Sequence, residues 1–258
     1  MIYTPIERRS TLGTGEEISY GYLRIRRHVR LDSEDELAKS YLLFSGESPS
    51  DKEIELPPLE LAIHPNKSGK IVVASPGANN PIDGFGEDCG YGIQQSIGAA
   101  VRTANRFPSD LQGQLGDKFR RFCGKVVKDT IRGAIRYSLE HAEEISGSKE
   151  PELYLVGYSA GGSGVAAVAH EFPQAGKILL MAPSGDTGQD AFEGIAKYQG
   201  HVTVLVGGED HLLNGGIRYF MSAEKARSRC IRIIKGCGHQ FTGHHDQFDQ
   251  APLWAFRE

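Results

Sequence analysis

The chain has 258 residues, of which 33 are acidic and 29 are basic, so its formal net charge is −4 at pH 7. Hydrophobic residues make up 39% of the chain, which is enough to bury a sizeable core and excludes a disordered protein. The weak negative charge gives no reason to expect nucleic acid or an anionic membrane as a partner.

No apolar run is long enough to span a bilayer, and the first residues lack the apolar segment of a secretory signal. We therefore expect a cytoplasmic protein without a membrane span. The four cysteines are scattered and lack the spacing of a zinc site, which favours reduced thiols. Their even number leaves one disulfide open as an alternative.

The first part of the chain, residues 1–69, is predicted to hold strands separated by polar turns. The strands are expected at residues 19–31, 39–44 and 59–64, with a loop over 45–58 and a turn over 66–70.

From residue 70 onward, short apolar runs alternate with helical patterns. The runs predict strands at residues 70–75, 99–104, 152–156, 177–182, 201–207 and 230–236. Helices are predicted at residues 89–98, from Phe119 to Ile145 with Gly147 as the cap, after Ser159, at 190–199, at 217–227 and at the end of the chain. The alternation predicts a mainly parallel sheet with helices on both faces, whose ligands lie beyond the carboxyl ends of the strands.

The segment LYLVGYSAGG, residues 153–162, runs from a predicted strand into a predicted helix with Ser159 at the bend. Gly157 and Gly161 relieve crowding on either side, so we expect a strained serine backbone and a hydroxyl at the helix N-terminus. Glycine fills 32 of the 258 positions, so an ordinary serine in a glycine-rich turn is the alternative. A serine nucleophile also needs a base nearby.

Candidate partners of Ser159 follow two later strands. Asp210 comes after the strand at 201–207, and His239 comes after the last strand. A neutral imidazole can accept the serine proton, and a carboxylate on its other nitrogen fixes the tautomer. Glu209 and Asp186 are the rival acids. The chain order of serine, aspartate and histidine predicts a catalytic triad of Ser159, Asp210 and His239.

A tetrahedral oxyanion would need hydrogen-bond donors near Ser159. The backbone N–H of Ala160, directly after the serine, is one candidate. The second is the backbone N–H of Ala78, in the loop SPGANN that follows the strand at 70–75. This loop is also an ordinary turn by composition, and a turn is a suitable way to present a backbone donor.

Four segments together resemble the α/β-hydrolase superfamily. VVASPGANN, LYLVGYSAGGSG, VTVLVGGEDHLL and IIKGCGHQF are similar to its oxyanion loop, nucleophile elbow, acid loop and histidine loop, over roughly residues 57–250. The family usually has His-Gly in the oxyanion loop, where this chain has Pro76-Gly77. The resemblance implies an α/β-hydrolase fold and the cleavage of an ester, thioester or related acyl bond through an acyl-serine, with no cofactor.

We therefore predict a single α/β-hydrolase domain over residues 1–258, with N-terminal strands and loops in 1–69 and a catalytic core in 70–258. Residues 183–201 are too few to form the separate lid domain that many members of the superfamily insert there. The predicted activity is that of a carboxylesterase acting on a small-molecule acyl substrate. An amidase, an acyltransferase or a non-catalytic ligand-binding protein with this fold are the alternatives, and the oligomeric state stays open.

Two further clusters were considered as binding sites. The aromatic side chains Phe85, Tyr91, Tyr158 and Phe241 are candidates for lining a substrate pocket, and ordinary core packing is the alternative for them. The residues His244, His245, Asp246 and Asp249 are potential metal ligands. Adjacent histidines on a helix point in different directions, so we expect a solvated terminal helix and no metal site there.

Overall fold

The computed structural model describes residues 4–49, 52–80, 82, 87–105, 107, 115 and 118–257. The strands within this part of the chain are β1 (Ile6–Thr11), β2 (Glu17–Arg30), β3 (Glu53–His64), β4 (Lys70–Ser75), β5 (Ala99–Thr103), β6 (Glu152–Tyr158), β7 (Ala175–Met181), β8 (His201–Gly207) and β9 (Ser228–Ile234). The helices are α1 (Glu36–Ser45), α2 (Glu87–Ser96), α3 (Phe119–Glu140), α4 (Ala142–Ser146), α5 (Ala160–Val168), α6 (Gln189–Lys197), α7 (Leu213–Ser222) and α8 (His245–Ala255). None of these described helices is long and apolar enough to cross a membrane.

All nine strands belong to one sheet in the order β1-β2-β3-β5-β4-β6-β7-β8-β9. The first three strands pair antiparallel, and β3 is also antiparallel to β5. From β5 to β9 every neighbouring pair is parallel. The carboxyl ends of β4 to β9 therefore meet at one edge of the sheet, as the alternating pattern predicted.

The core lies on both faces of this sheet. Along β6, Leu153 and Leu155 pack with α3, α5 and α6, whereas Tyr154 and Val156 pack with α2 and α8. This alternation follows from the two-residue period of a strand. Each fully buried side chain of this kind contributes about 1.5–3 kcal/mol to stability. The prediction of helices on both faces is confirmed.

One predicted strand, at residues 39–44, is wrong, because this apolar run belongs to α1. The carboxylate of Asp35 caps the helix by accepting a hydrogen bond from the N–H of Leu37 at 2.7 Å. Gly46 ends it in the left-handed conformation, with a φ of 75°. Leu37 and Tyr41 are four residues apart, so they share one face of the helix, and both are buried.

The predicted loop over residues 45–58 is too long, because β3 begins inside it. The register between β2 and β3 shifts between Ile25 and Arg27, opposite Pro57 and Pro58. Proline has no N–H to donate to a sheet, so it is tolerated at such an irregularity. The Nε of Arg27 donates a hydrogen bond of 2.8 Å to the carbonyl of Pro57.

The other elements differ from prediction mainly in their ends. The long helix is confirmed, but it is interrupted at His141 before α4 ends at Gly147, whose φ is 78°. The helix predicted at 217–227 is α7, which begins and ends earlier, at Leu213 and Ser222. Strand β1 pairs with β2 and was not predicted. The predicted strands at β4, β5, β6, β7, β8 and β9 are confirmed.

Candidate active site

Ser159 occupies the turn between β6 and α5 in a conformation that is rare for a residue with a side chain. Its φ is 52° and its ψ is −115°. A Cβ atom at Gly157 would lie 2.4 Å from the carbonyl oxygen of Gly161, and one at Gly161 would lie 2.2 Å from that of Ser75. Both positions therefore require glycine, because the strand and the helix approach each other so closely.

Hydrogen bonds to neighbouring strand ends hold this turn in place. The N–H of Ser159 donates to the carbonyl of Met181 at 2.9 Å, and the N–H of Ser184 donates to the carbonyl of Ser159 at 3.1 Å. These bonds stabilise a backbone geometry that would otherwise cost of the order of 1–3 kcal/mol.

The three residues of the predicted triad lie together in hydrogen-bond contact. The Nε2 of His239 is 3.1 Å from the Oγ of Ser159, and its Nδ1 is 3.0 Å from the Oδ2 of Asp210. An ionised carboxylate can only accept, so the Nδ1 of His239 carries the proton and Nε2 presents its lone pair to the hydroxyl. This is the tautomer that a general base requires.

The structure also distinguishes Asp210 from the two rival acids. The Asp210 side chain is fully buried, and its Oδ1 accepts a hydrogen bond of 2.8 Å from the N–H of Leu212. Glu209 is exposed. The carboxylate of Asp186 accepts a hydrogen bond of 2.5 Å from the Nε of Arg120 instead. Of these three acids, Asp210 is the one that contacts the histidine.

The two predicted oxyanion donors lie on either side of the elbow. Gly161 donates its N–H to the carbonyl of Pro76 at 3.1 Å. The N–H of Ala160, in the first turn of α5, has no acceptor among the described residues and is free to bind a ligand oxygen. Ala78 is exposed in the loop after β4, next to Asn79, whose φ of 60° turns the chain sharply.

Asn105 was not singled out from the sequence, although it lies just beyond β5 at the same edge of the sheet. It is buried, and its Nδ2 donates to the carbonyl of Pro76 at 2.7 Å and to the Oγ of Ser75 at 3.3 Å. Its N–H donates to the carbonyl of Asn80 at 3.0 Å. These contacts hold both ends of the loop that carries Ala78. The signal that could have found Asn105 is its position after a strand of the parallel sheet.

An open cavity of about 310 Å³ lies beside the elbow, with Ala78 and Ala160 in its wall. The remaining lining residues are Asn79, Phe107, Phe119, Arg120, Cys123, Val127 and Asp186. The rings of Phe107 and Phe119 meet edge to face at 6.0 Å, which makes one wall apolar. Burial, followed by the charge of Asp186, raises the pKa of the Cys123 thiol to about 12, so this thiol stays protonated and is a poor nucleophile.

Two of the aromatic residues predicted to line the pocket belong to the core beneath the triad. Tyr158 is buried, its ring stacks on that of His239 at 5.5 Å, and its hydroxyl donates to the His239 carbonyl at 3.1 Å. Phe241 has no exposed surface and packs against Phe248. Tyr158 also lines a separate cavity of about 40 Å³ behind the triad. Neither residue lines the larger cavity beside the elbow, so a role for Tyr158 or Phe241 in substrate binding stays a prediction.

Tyr91 is not part of the lining of that cavity. The hydroxyl of Tyr91 donates a hydrogen bond of 2.7 Å to Glu16, which ties α2 to the turn between β1 and β2. Phe85 lies outside the described residues.

Among the described residues, the structure brings together one set of side chains that could bind a metal ion. This set differs from the C-terminal cluster at residues 244–249 that the sequence suggested. One ligand atom each from Asp210, His211 and His239 lies within 4.8 Å of the other two. His211 was not considered in the sequence. Its ring lies 5.2 Å from that of His239.

No protein-family model matches the sequence, and no curated protein matches it by sequence. Solved structures do match its fold. Dienelactone hydrolase from Anabaena variabilis has a TM-score of 0.63 at 16% identity, and the match covers 98% of this chain and 97% of that one. The esterase domain of a Rhodothermus marinus protein has a TM-score of 0.55 at 11% identity, with 99% and 98% covered. Carboxyl esterase 2 from the fungus Tuber melanosporum has a TM-score of 0.54 at 13% identity, with 78% and 81% covered.

These likenesses establish the fold. Together with the strand order and the turn at Ser159, they show that the chain has the α/β-hydrolase fold, which the four sequence segments predicted.

Proposed function

We propose that this protein is a serine hydrolase that cleaves a carboxylic ester or thioester of a small molecule. The observation that carries the proposal is the continuous chain of hydrogen bonds from Asp210 through His239 to Ser159. It ends on a serine whose strained backbone places it at the N-terminus of α5. A structural serine would have no need of a buried carboxylate and an oriented imidazole.

The proposed reaction has two halves, acylation and deacylation of Ser159, and the same groups act in both. The Oγ of Ser159 attacks the substrate carbonyl while the Nε2 of His239 takes its proton, and Asp210 stabilises the imidazolium. The backbone N–H groups of Ala160 and Ala78 bind the oxyanion, each with a contribution of about 3 kcal/mol. The tetrahedral intermediate collapses to an acyl-serine as Nε2 returns the proton to the leaving alcohol or thiol. Water then attacks the acyl-serine while Nε2 takes its proton, and Nε2 returns that proton to the Oγ of Ser159 as the carboxylic acid leaves, so no cofactor is required.

The size and lining of the cavity beside the elbow favour, as the substrate, an acyl compound of modest size with an apolar group. Phe107, Phe119 and Val127 offer apolar contacts, and Arg120 is the cation at this wall. The solved structures that share the fold are described as esterases and a dienelactone hydrolase, which favours an ester bond over an amide. A carboxylesterase is therefore the specific activity that we propose, with an amidase or an acyltransferase as the alternatives.

Replacement of the serine tests the proposal. Ser159→Ala should lower the turnover of p-nitrophenyl acetate at least about 10³-fold, because the nucleophile is lost. It should also abolish labelling by a fluorophosphonate probe, and the circular dichroism spectrum should stay that of the wild type. Ser228→Ala, at an exposed serine, is the matched control and should retain both activity and labelling. Wild-type turnover by a folded Ser159→Ala protein would end the claim.

A further inference from the structure

The buried carboxylate of Asp210 contacts a second imidazole besides that of His239. The Nδ1 of His211 lies 3.4 Å from its Oδ1, and the Nδ1 of His239 lies 3.0 Å from its Oδ2. The side chain of Asp210 is fully buried, whereas that of His211 is 74% exposed. The hydrogen-bonded pair of Asp210 and His239 therefore has a second imidazole, that of His211, next to it on the solvent side.

We propose that Asp210, His211 and His239 form a binding site for Zn²⁺, and that the bound ion inhibits the hydrolase. Two imidazoles and one carboxylate are a donor set that Zn²⁺ uses in proteins, with water in the fourth position. The inhibitory part of this inference rests on the proposed function, whereas the binding part does not.

The distances suit a tetrahedral ion. Zinc bonds of about 2.0–2.2 Å place neighbouring ligand atoms about 3.3 Å apart. Each imidazole lies close to that separation from one oxygen of the carboxylate, His211 at 3.4 Å from Oδ1 and His239 at 3.0 Å from Oδ2. One ligand atom from each of the three residues lies within 4.8 Å of the other two, so the ligand atoms need to approach one another by about 1.5 Å at most. The exposed ring of His211 is free to make this adjustment.

Zinc at this position would disable the base through its tautomer. The Nδ1 of His239 carries the proton in the hydrogen-bonded triad, and Nε2 accepts from Ser159. A metal on Nδ1 takes the lone pair there, so the single proton of the neutral imidazole moves to Nε2. Nε2 then faces the Oγ of Ser159, 3.1 Å away, as a donor and cannot accept its proton. The imidazole of His239 gains and loses no proton overall, because its one proton moves from Nδ1 to Nε2. Bound zinc should therefore lower kcat.

The chemistry of the donors also predicts selectivity. Mg²⁺ and Ca²⁺ prefer sites made of oxygen ligands, and this set contains only one carboxylate. Zn²⁺ should therefore inhibit at concentrations at which Mg²⁺ has no effect.

The activity experiment compares three proteins in a Cys230→Ser background, which removes an exposed thiol that could bind the metal. After treatment with EDTA, the parent protein should keep its full activity on p-nitrophenyl acetate, lose it on titration with Zn²⁺ and regain it with EDTA. His211→Ala should raise the inhibitory Zn²⁺ concentration at least about tenfold, with kcat/KM in EDTA unchanged within about twofold. His245→Ala, an exposed histidine of the other candidate cluster, should respond as the parent does. Mg²⁺ replaces Zn²⁺ in the control titration.

A binding measurement separates the two proposals. Equilibrium dialysis with Zn²⁺ should find one ion per chain in Ser159→Ala, a fourth protein, and a clear loss of affinity in His211→Ala. If no ester is hydrolysed but this His211-dependent binding is found, the proposed function fails and the metal site stands. If ester is hydrolysed and His211→Ala binds Zn²⁺ and is inhibited by it like the parent, the metal site is overturned.

Discussion

Asp210 and Glu209 are neighbouring carboxylates with opposite surroundings. Both follow β8, but Asp210 is buried and hydrogen-bonded to His239, whereas Glu209 is exposed. A buried carboxylate is tolerated only where it is well satisfied, and Asp210 accepts hydrogen bonds at both oxygens. The neighbouring residues therefore differ in burial and in their contact with His239.

Paired substitutions test this difference. Asp210→Asn should lower kcat on p-nitrophenyl butyrate by about 10⁴-fold, because an amide allows the wrong tautomer of His239. Glu209→Gln should leave kcat within about twofold of the wild type. Steady-state kinetics on both variants checks the assignment, and a larger loss in Glu209→Gln would reverse it.

Asn105 connects two parts of the site through one side chain. The carbonyl of Pro76 accepts from the Nδ2 of Asn105 and also from the N–H of Gly161 in α5. The loop that holds Ala78 is thereby fixed relative to the nucleophile helix. We assign Asn105 a positioning role, because no described contact joins it to Ser159 or His239.

Removal of this side chain should affect the transition state more than substrate binding. Asn105→Ala should lower kcat by up to about 10²-fold, since a small displacement of an oxyanion donor has a cost of that size. KM should change little. The affinity for a trifluoromethyl ketone, which forms a tetrahedral oxyanion adduct, should fall in parallel with kcat. Asn214→Ala, at an exposed asparagine in α7, is the control. A lower melting temperature with an unchanged kcat would make the role of Asn105 purely structural.

At the scale of elements, the packing of α8 against α2 partly buries one carboxylate that has no part in the proposed reaction. Burial, followed by the negative charge of Asp88, raises the pKa of Asp249 to about 6, although His245 opposes the shift. The folded protein therefore holds this proton more tightly than the unfolded chain does. Ionisation of Asp249 destabilises the fold above about pH 6, and protonation relieves this at lower pH.

Asp249→Asn should remove this destabilisation. The free energy of unfolding should rise by about 1–2 kcal/mol at pH 7.5, because one pKa unit corresponds to about 1.4 kcal/mol and solvent screening at a partly exposed carboxylate reduces the effect. The gain should shrink as the pH falls through the folded pKa of about 6 and vanish below the ordinary value of 3.8. Urea unfolding at several pH values measures it, with Glu224→Gln, an exposed carboxylate that does not act on Asp249, as the control. A gain that is independent of pH would contradict the mechanism.

The elements that were predicted wrongly show where local patterns are insufficient. The apolar run of α1 fits a strand or a helix equally well over six residues, and the caps at Asp35 and Gly46 decide between them. Pro57 and Pro58 read as a loop because the irregularity that accommodates them depends on pairing with β2, which lies far away in the chain. In both cases the contact that determines the secondary structure lies outside the short segment from which the prediction was made.

At the scale of the whole molecule, topology explains which site residues could be predicted. Ser159, Asp210 and His239 each follow a strand of the parallel sheet, so the alternation alone places them at one edge. The order β6-β7-β8-β9 then brings the ends of these strands near one another. The positions of Asn105 and His211 obey the same rule, but their roles depend on side-chain contacts that no spacing in the sequence specifies. The aromatic residues predicted to line a pocket stay a prediction for a related reason, because residue type does not say on which side of the triad a ring packs.

The connection between β7 and β8 decides whether the site can have a lid in the place where the superfamily often inserts one. It holds only a loop and α6, and Ala191 and Ile195 of this helix are fully buried. A Cβ atom at Gly194 would lie 2.4 Å from the carbonyl oxygen of Ala167, so the backbones of α6 and α5 are in close contact. A helix packed in this way cannot lift off without exposing the core.

We therefore expect no interfacial activation. A mobile lid opens when its apolar face meets a lipid surface, which gives a jump in rate as an ester passes its solubility limit. Here the rate on a short-chain triglyceride should rise smoothly through that limit, since α6 is fixed by its own packing. Titration of the ester across the limit measures this, with a lidded lipase as the positive control. A sharp jump would mean that another segment moves over Ser159, and it would leave the triad assignment intact.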